Sequence, residues 1–374
     1  MKQKLRKQVI KLLKKEKKPF YIYDKKGIID NCKKFMDIPY KDKIVAFATM
    51  ANSNIDFLKI IKSEGMSVFV NSIPHLHSSL DIGFKPKQIV YTSSSMDNET
   101  MKEIQKSKCI VNLDSISQIN RWKKLFPNNS FGIRCNIGTL VKAKETRGGY
   151  FLGKKSRLGL SVSEILSIDK KNIDGLHLYP GTDITEVSYF EKCYKKIIEL
   201  SLHFPDLKYL DFGGGFGVET KKAKKFDMAK YSKIVSQLMD DISNKLGRQL
   251  TLVLEPGRII GGESAWFVTM VVDVKRRWGH QFIGLNASAV QFPRPLFYPD
   301  SAYHPIIYFS KHNSHKINSS IYGCSTYSRD YFMKNKKLPI VKEDEIIVFG
   351  NAGSYCSGMF TNFLGFEKPK EVFI

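Results

Sequence analysis

The chain has 374 residues, enough for one large hydrophobic core and a second, smaller one. Its net charge of +24 comes mainly from lysines spread along the chain, which is typical of a solvated surface and, without a nucleic-acid motif, does not predict nucleic-acid binding. The sequence has no apolar run of 18 residues, and its six cysteines are scattered without metal-ligand spacing, so we expect no membrane span, no metal site and a reduced, cytoplasmic chain.

The N-terminal segment is basic and amphipathic. Residues 1–18 predict a helix that ends before Pro19, and residues 20–23 predict a strand. The apolar side of this helix is expected to carry Leu5, Val9, Ile10, Leu12 and Leu13.

From residue 24 onward, strand patterns alternate with helical patterns. The predicted strands cover residues 44–49, 67–70, 88–91, 109–113, 130–135, 175–178, 208–212 and 251–254. Helical patterns between them include residues 55–63, 96–107, 186–203 and 231–246. Eight strands alternating with helices predict a parallel (β/α)8 TIM barrel, which we place at residues 24–262. The irregular basic stretch 138–155 is expected to form a mobile surface loop.

The pattern changes after residue 261, where β-rich runs follow one another without a long helix. These runs cover residues 265–274, 305–309, 319–322 and 346–349. We therefore predict a β domain built from both chain ends, residues 1–23 and 263–374.

Two segments at the ends of predicted barrel strands indicate a ligand site. They are Leu210-Asp211-Phe212-Gly213-Gly214-Gly215-Phe216-Gly217 and Leu254-Glu255-Pro256-Gly257-Arg258. Consecutive glycines bring bare N–H groups close to a ligand, which suits a phosphate, although a lone glycine triplet is equally compatible with a flexible turn. A phosphate cradle beside a carboxylate suits a ligand with a phosphate at one end and a basic nitrogen at the other. Pyridoxal 5'-phosphate has this shape.

At this point the sequence resembles the fold-type III pyridoxal-phosphate decarboxylases, the family of diaminopimelate, ornithine and arginine decarboxylases. Further stretches that carry the resemblance are Phe20-Tyr21-Ile22-Tyr23-Asp24, Ser156-Arg157-Leu158-Gly159, Arg294-Pro295-Leu296-Phe297-Tyr298 with His304, Gly323-Cys324, Gly353-Ser354-Tyr355 and Phe363. The resemblance implies an alanine-racemase-like TIM barrel with a C-terminal β-sandwich or β-barrel domain. It also implies decarboxylation of an amino-acid-type substrate at its α carbon, through an external aldimine.

The resemblance also implies roles for individual residues. The phosphate would be held by Gly213, Gly214, Gly215, Gly257, Arg258 and Tyr355. Glu255 would accept the pyridinium N–H, which makes the ring an electron sink, and Arg134 would lie near the ring. Arg294 and Tyr298 would meet the distal group of the substrate. Cys324 of a second subunit would donate a proton, so a homodimer with a shared active site is implied.

The sequence departs from the family at the position of the Schiff-base lysine. Residues 47–52 are Phe-Ala-Thr-Met-Ala-Asn, where the family has Lys-Ala-Asn or Lys-Cys-Asn, so Met50 occupies the lysine position. A methionine cannot form an imine. Lys41 and Lys43 are expected at the start of the strand, away from the catalytic face.

Other departures accompany Met50. Tyr179 stands where the family stacks a histidine on the ring, and Asn71 replaces an acidic residue after the second strand. The spacing from Cys324 to Asp330 is longer than in the family. His177 is equally compatible with a ring contact and a core residue.

Simpler interpretations stay open for three of the other residues. Cys324 is also compatible with an ordinary buried thiol, Arg134 with a plain partner of Glu255, and Met50 with simple packing.

Three functions are compatible with this sequence. The first is a decarboxylase, either divergent or substituted at Met50. The second is a catalytically inactive paralogue that binds cofactor or a partner enzyme. The third is the same scaffold with another ligand or reaction. The high positive charge is in addition compatible with an acidic partner, substrate or membrane surface.

Overall fold

The computed structural model describes residues 3–142, 150–310 and 315–374, without the side chains of residues 3–5 and 14. The chain divides into two compact units, Ile29–Ile260 and a second unit made of Met1–Ile28 with Gly261–Ile374. The predicted domain boundaries at 23/24 and 262/263 stay a prediction. Residues 143–149, the middle of the predicted mobile loop, lie outside the described residues.

The helices and strands are as follows. The strands are β1 Phe20–Tyr23, β2 Lys43–Ala48, β3 Ser67–Val70, β4 Ile89–Thr92, β5 Ile110–Leu113, β6 Phe131–Asn136, β7 Leu160–Ser161, β8 Ile173–His177, β9 Tyr209–Asp211, β10 Thr251–Leu254, β11 Ala265–Arg277, β12 His280–Leu285, β13 Ile306–Tyr308, β14 Lys316–Tyr322, β15 Tyr331–Pro339, β16 Ile346–Phe349 and β17 Lys370–Phe373. The helices are α1 Gln3–Lys15, α2 Lys25–Met36, α3 Ile55–Ser63, α4 Ile73–Asp81, α5 Asn98–Ser107, α6 Ile116–Leu125, α7 Val162–Ser167, α8 Val187–Ser201, α9 Met228–Leu246, α10 Arg258–Gly261 and α11 Arg294–Phe297.

Eight parallel strands of the first unit form a closed barrel. Around the ring the order is β2, β3, β4, β5, β6, β8, β9 and β10, and pairing of β10 with β2 closes it. The short β7 adds to β6 outside this ring. The predicted (β/α)8 barrel is confirmed, and all eight predicted strands are present within two residues of their predicted ends.

The barrel interior is filled by side chains from several strands. A buried cluster combines Ala46, Val90, Tyr209 and Val253. Tyr209 needs the space left by two glycines, because a Cβ on Gly132 or Gly175 would overlap its side chain. The Tyr209 hydroxyl donates to Asn112 Oδ1 at 2.8 Å, so the polar end of this large side chain is satisfied inside the barrel.

The barrel helices pack through one apolar face and begin at side-chain caps. Asn54 caps α3 by accepting bonds from two backbone N–H groups, and Asp227 caps α9 in the same way from one. Helix α9 buries a stripe that includes Val235, Met239 and Ile242. It ends at Gly247, whose φ of +63° is a left-handed angle that glycine adopts without strain.

The second unit is a mixed eight-stranded sheet. Its main path is β13-β16-β11-β12-β14-β15, and β1 joins it by pairing with β11, with β17 alongside β1. The all-β prediction is confirmed, although β12, β15 and β17 were not predicted. In α1, Val9 packs against Phe20, Ile22 and Val268, whereas the predicted placement of Ile10 on the apolar side is wrong because this residue is 42% exposed.

Within the described residues, the helices are too short or too polar for any of them to cross a bilayer.

Candidate active site

Three neighbouring barrel strands end in buried polar side chains. His177 is the last residue of β8, Asp211 is the last residue of β9, and Glu255 follows directly after β10. The strands run parallel, so these residues meet at the carboxyl end of the barrel, where each offers one polar atom within 4.8 Å of the others. His177 is 1% exposed and Glu255 is 4% exposed. His177 Nε2 lies 3.5 Å from Glu255 Oε2. The expectation that the chain has no metal site stays a prediction.

The predicted glycine turn lies at the same end of the barrel. Gly213 and Gly215 have φ angles of +64° and +95°, which other residues rarely adopt. A Cβ on Gly214 would overlap the carbonyl oxygen of Glu255, and the Glu255 N–H donates to Gly213 O at 2.9 Å. Glycine is therefore needed for the turn to pack against the segment that carries Glu255.

Asp211 connects the glycine turn to the barrel interior. Its Oδ1 accepts the Gly213 N–H at 2.9 Å, and its Oδ2 accepts from Asn112 Nδ2 at 3.2 Å. Asn112 is in turn held by Tyr209 and by Thr92 Oγ1. This network of buried barrel side chains holds the start of the glycine turn in place.

The buried carboxyl groups have strongly perturbed protonation. Burial raises the pKa of Glu255 from its ordinary value of 4.5 to about 7. Burial and the neighbouring Glu255 charge raise the pKa of Asp211 well above its usual range, which favours the protonated form of this carboxyl. Burial lowers the pKa of His177 to about 4, so its ring is neutral. Burial therefore disfavours the charged form of all three side chains.

Some buried polar atoms of this group have no partner within the part of the chain that the structure describes. They are Glu255 Oε1 and the two ring nitrogens of His177, which make no hydrogen bond there, although His177 Nε2 lies near Glu255 Oε2. A buried carboxylate oxygen without a donor is costly, which points to a ligand that supplies one.

Arg134, near the end of β6, is held by Asp114. Its Nε lies 3.7 Å from Asp114 Oδ1, and both side chains are largely buried. Asp114 Oδ1 also accepts the Gly159 N–H at 3.0 Å. This bond ties the last residue of the Ser156–Gly159 motif to the partner of Arg134. The Arg134 guanidinium lies 5.9 Å from the centre of the Tyr179 ring. Arg134 therefore has a carboxylate partner other than the Glu255 considered from the sequence.

Arg258 forms an ion pair that the sequence did not predict. Its Nε contacts Asp183 Oδ1, and the two side chains are 12% and 22% exposed. Asp183 lies in the loop after β8 and has a left-handed φ of +55°. This pair lies beside the predicted phosphate cradle, because Gly257 is the neighbour of Arg258 in sequence.

Met50 lies two residues beyond the end of β2, the barrel strand that pairs with β10. The Ala48 N–H donates to Pro256 O at 3.0 Å, which ties this strand end to the segment after Glu255. Met50 is 39% exposed, so simple packing in a core does not explain it. Lys43 Nζ donates to Ile38 O and Tyr40 O at the opposite end of β2, as predicted for a lysine away from the catalytic face.

Four predicted site residues belong to the second unit. The Arg294 guanidinium lies 5.2 Å from the centre of the Tyr298 ring, so this predicted pair is in contact. Cys324 follows β14, and burial together with Asp330 raises the pKa of its thiol. Tyr355 has a left-handed φ of +54°. Their positions relative to the barrel site stay a prediction.

The sequence model of the family described as "Pyridoxal-dependent decarboxylase, pyridoxal binding domain" matches residues 26–262, which is more than half of the chain. The chain belongs to this family. Pyridoxal phosphate is therefore its cofactor, and the chain is an enzyme of the carboxy-lyase class.

Curated relatives of this pyridoxal-dependent decarboxylase cover nearly its whole length. The diaminopimelate decarboxylase of Buchnera aphidicola subsp. Schizaphis graminum is 28% identical over 94% of this chain and 88% of the relative. That of Methanothermobacter thermautotrophicus is 26% identical over 95% of this chain and 86% of the relative.

Solved structures share the fold of this decarboxylase. Diaminopimelate decarboxylase from Helicobacter pylori, complexed with L-lysine, superposes with a TM-score of 0.86 at 22% identity, over 97% of this chain and 93% of the other. Arginine decarboxylase from Paramecium bursaria Chlorella virus superposes with a TM-score of 0.84 at 17% identity, over 99% and 100%.

The non-covalent part of the site fits the cofactor. The buried Glu255 Oε1 has no donor among the described residues, and a pyridinium N–H would supply one. The Gly213 N–H is already bonded to Asp211, so a phosphate would be held by the backbone N–H groups of Gly214 and Gly215 beside Glu255. That Met50 occupies the position of the covalent anchor stays a prediction, and a methionine has no amine to form one.

Three residues at this site were missed by sequence reasoning. Asn112 and Asp114 lie at the end of β5 and Asp183 lies in the loop after β8, so no local spacing connects them with Asp211, Arg134 or Arg258. Asp211 could have been predicted as a site residue, because it directly precedes Phe212 and the glycine triplet.

Proposed function

We propose that this decarboxylase binds pyridoxal phosphate reversibly, without a covalent bond to the chain, and acts on an amino acid that carries a distal carboxylate. The observation that carries the proposal is the buried, unsatisfied Glu255 Oε1 next to the glycine turn, combined with Met50 at the end of the neighbouring strand. The first feature favours retention of the cofactor, and the second removes its usual covalent anchor.

Different residues of the barrel bind the phosphate and the ring of the cofactor. The turn Gly213–Gly215, through the N–H groups of Gly214 and Gly215, holds the phosphate together with Gly257 and Arg258, and Glu255 accepts the N–H of the ring. Arg134 and Tyr179 line the ring, Tyr179 in place of a stacking histidine. When bound, the cofactor stabilises the carbanion that remains after CO2 leaves.

Proton placement supports this arrangement. Burial and the Glu255 charge raise the pKa of Asp211, which favours its protonated form beside Glu255. Glu255 therefore supplies the negative charge that faces the ring nitrogen. A neutral His177, whose pKa is lowered by burial, leaves that charge uncancelled.

The remaining roles belong to the second unit and to a partner. Cys324 of a second copy holds the proton that replaces the lost carboxylate, and its raised pKa keeps the thiol protonated at neutral pH. Tyr355 completes the phosphate cradle. A homodimer with a shared active site follows from these roles.

The substrate class rests on Arg294 and Tyr298. Arg294 is 8% exposed and lies against the Tyr298 ring, so its planar guanidinium is held in one orientation. A fixed guanidinium suits a carboxylate. The diaminopimelate decarboxylases among the relatives support a diamino dicarboxylic acid as the substrate of this chain.

The alternative is a catalytically inactive paralogue that binds the cofactor or regulates an active homologue. Met50 favours it, because a lysine normally displaces the product and its loss slows turnover by orders of magnitude.

The test is a titration of the purified chain with pyridoxal phosphate, followed by absorbance, with gel filtration to remove free cofactor. We expect saturable binding that is lost on gel filtration. Glu255→Ala should weaken binding roughly 10-fold to 100-fold, because a hydrogen bond to a charged group is lost. Glu199→Ala, on the exposed face of α8, is the matched control and should bind like the parent chain.

Release of CO2 from carboxyl-labelled diaminopimelate by the loaded chain separates the two candidates. Slow release that depends on Glu255 supports the decarboxylase. Cofactor binding without release of CO2 supports the inactive paralogue, and equal binding by the parent chain and Glu255→Ala contradicts both.

A further inference from the structure

The backbone at Asp183 is fixed against the glycine turn. The Ile184 N–H donates to Gly215 O at 2.9 Å, and the Gly217 N–H donates to Ile184 O at 2.8 Å. A Cβ on Gly217 would approach the Asp183 carbonyl carbon to 2.7 Å, so the two segments are in close contact. The position of Asp183 beside the turn is therefore determined by backbone packing.

The Asp183 side chain reaches Arg258 from this position. Asp183 and Arg258 form an ion pair in which both side chains are mostly shielded from water. Such a pair is screened less than an exposed one. The left-handed φ of +55° at Asp183 is one that glycine, asparagine and aspartate tolerate best, and among these three aspartate alone brings a charge.

This ion pair changes the charge available to a phosphate. Arg258 supplies the positive charge of the Glu255–Arg258 segment. The negative charge of the Asp183 carboxylate already balances it. Arg134, a second guanidinium of the site, faces the carboxylate of Asp114. A phosphate monoester carries a charge of about −1.5 to −2 at neutral pH. On entering the cradle it therefore meets a guanidinium that already has an anionic partner.

We propose that Asp183 competes with the phosphate group of the ligand for Arg258 and so keeps phosphate-bearing ligands, the cofactor included, weakly held and exchangeable. This inference rests on the proposed function, because it concerns the same cradle. Met50 cannot form the covalent bond to the cofactor, and Asp183 weakens the ionic interaction of the phosphate with Arg258.

The test compares Asp183→Asn with the parent chain by isothermal titration calorimetry, using pyridoxal phosphate, pyridoxal and inorganic phosphate as separate probes. Asparagine tolerates the left-handed angle and keeps the shape of the side chain, so the variant removes only the charge. Asp344→Asn is the matched control, because Asp344 is an exposed aspartate with a left-handed φ of +65° in the second unit.

We expect Asp183→Asn to bind pyridoxal phosphate and inorganic phosphate about tenfold more tightly, since one charge-assisted bond no longer competes. Binding of pyridoxal, which has no phosphate, should be unchanged, and Asp344→Asn should match the parent chain with all three probes. In an Arg258→Gln background, Asp183→Asn should give no gain, because the contested group is absent.

Weaker binding of pyridoxal phosphate by Asp183→Asn would overturn the inference, since Asp183 would then orient Arg258 for the phosphate. An equal change for pyridoxal and pyridoxal phosphate would also overturn it. If the parent chain binds neither pyridoxal nor pyridoxal phosphate, the proposed function fails. The affinities of the parent chain and Asp183→Asn for inorganic phosphate then decide whether Asp183 competes for Arg258.

Discussion

Replacing Glu255 with glutamine should stabilise the ligand-free chain at pH 8, because the change removes a buried charge. Glu255 is 4% exposed, and burial raises its pKa from 4.5 to about 7. Above pH 7 the folded chain holds this carboxylate beside Asp211 without full hydration. The amide of glutamine keeps the size of the side chain and carries no charge.

The magnitude follows from the two pKa values. Each pH unit between the folded and unfolded pKa of one group is worth about 1.4 kcal/mol. The interval from 4.5 to about 7 at Glu255 is therefore worth about 3 kcal/mol. Because the folded pKa is the higher one, the penalty is absent below pH 4.5. It grows as the pH rises to about 7 and is constant above that.

Urea unfolding of the ligand-free parent chain and Glu255→Gln between pH 4.5 and pH 8 measures this effect. We expect equal stability at pH 4.5 and a gain of about 3 kcal/mol for Glu255→Gln at pH 8. Glu199→Gln, an exposed glutamate paired with Lys196, is the control and should stay within about 0.5 kcal/mol of the parent chain. Parallel pH profiles for Glu255→Gln and the parent chain would refute the reasoning.

The other predictions concern single side chains. Met50→Lys should give a visible absorption band with pyridoxal phosphate that borohydride fixes to the chain; no fixed band would mean that position 50 does not face the cofactor. Cys324→Ser should lower CO2 release without changing cofactor affinity in the same titration, whereas unchanged release would remove Cys324 from the reaction. Gly175→Ala should lower the free energy of unfolding by about 3 kcal/mol in urea, because its Cβ would overlap the Tyr209 ring; an unchanged value would contradict this packing.

The barrel could be predicted from the sequence because its strands are short apolar runs separated by amphipathic helices. The end of β10 was predicted correctly, since Leu254 is followed at once by Glu255-Pro256-Gly257. The second unit was harder to predict. Strand β15 contains the exposed run Lys334 to Lys337, which carries no apolar alternation, and β17 is defined only by its pairing with β1.

The chemistry at the strand ends was predictable in part. Glu255 and the glycine turn carry local signals, a carboxylate after a buried strand and three consecutive glycines. The ion pair of Asp183 with Arg258 joins residues 75 positions apart, and the bond of Asn112 to Asp211 joins residues 99 apart. Such partners meet only because the barrel closes. A short stretch of sequence therefore cannot reveal them.

A crystal structure of the chain soaked with pyridoxal phosphate tests the central claim most directly. The account predicts the phosphate against the turn Gly213–Gly215 and Gly257, the ring nitrogen within hydrogen-bond distance of Glu255, and no bond between the cofactor and the chain at Met50. Cofactor bound away from Glu255, or linked to a lysine at this end of the barrel, would contradict it.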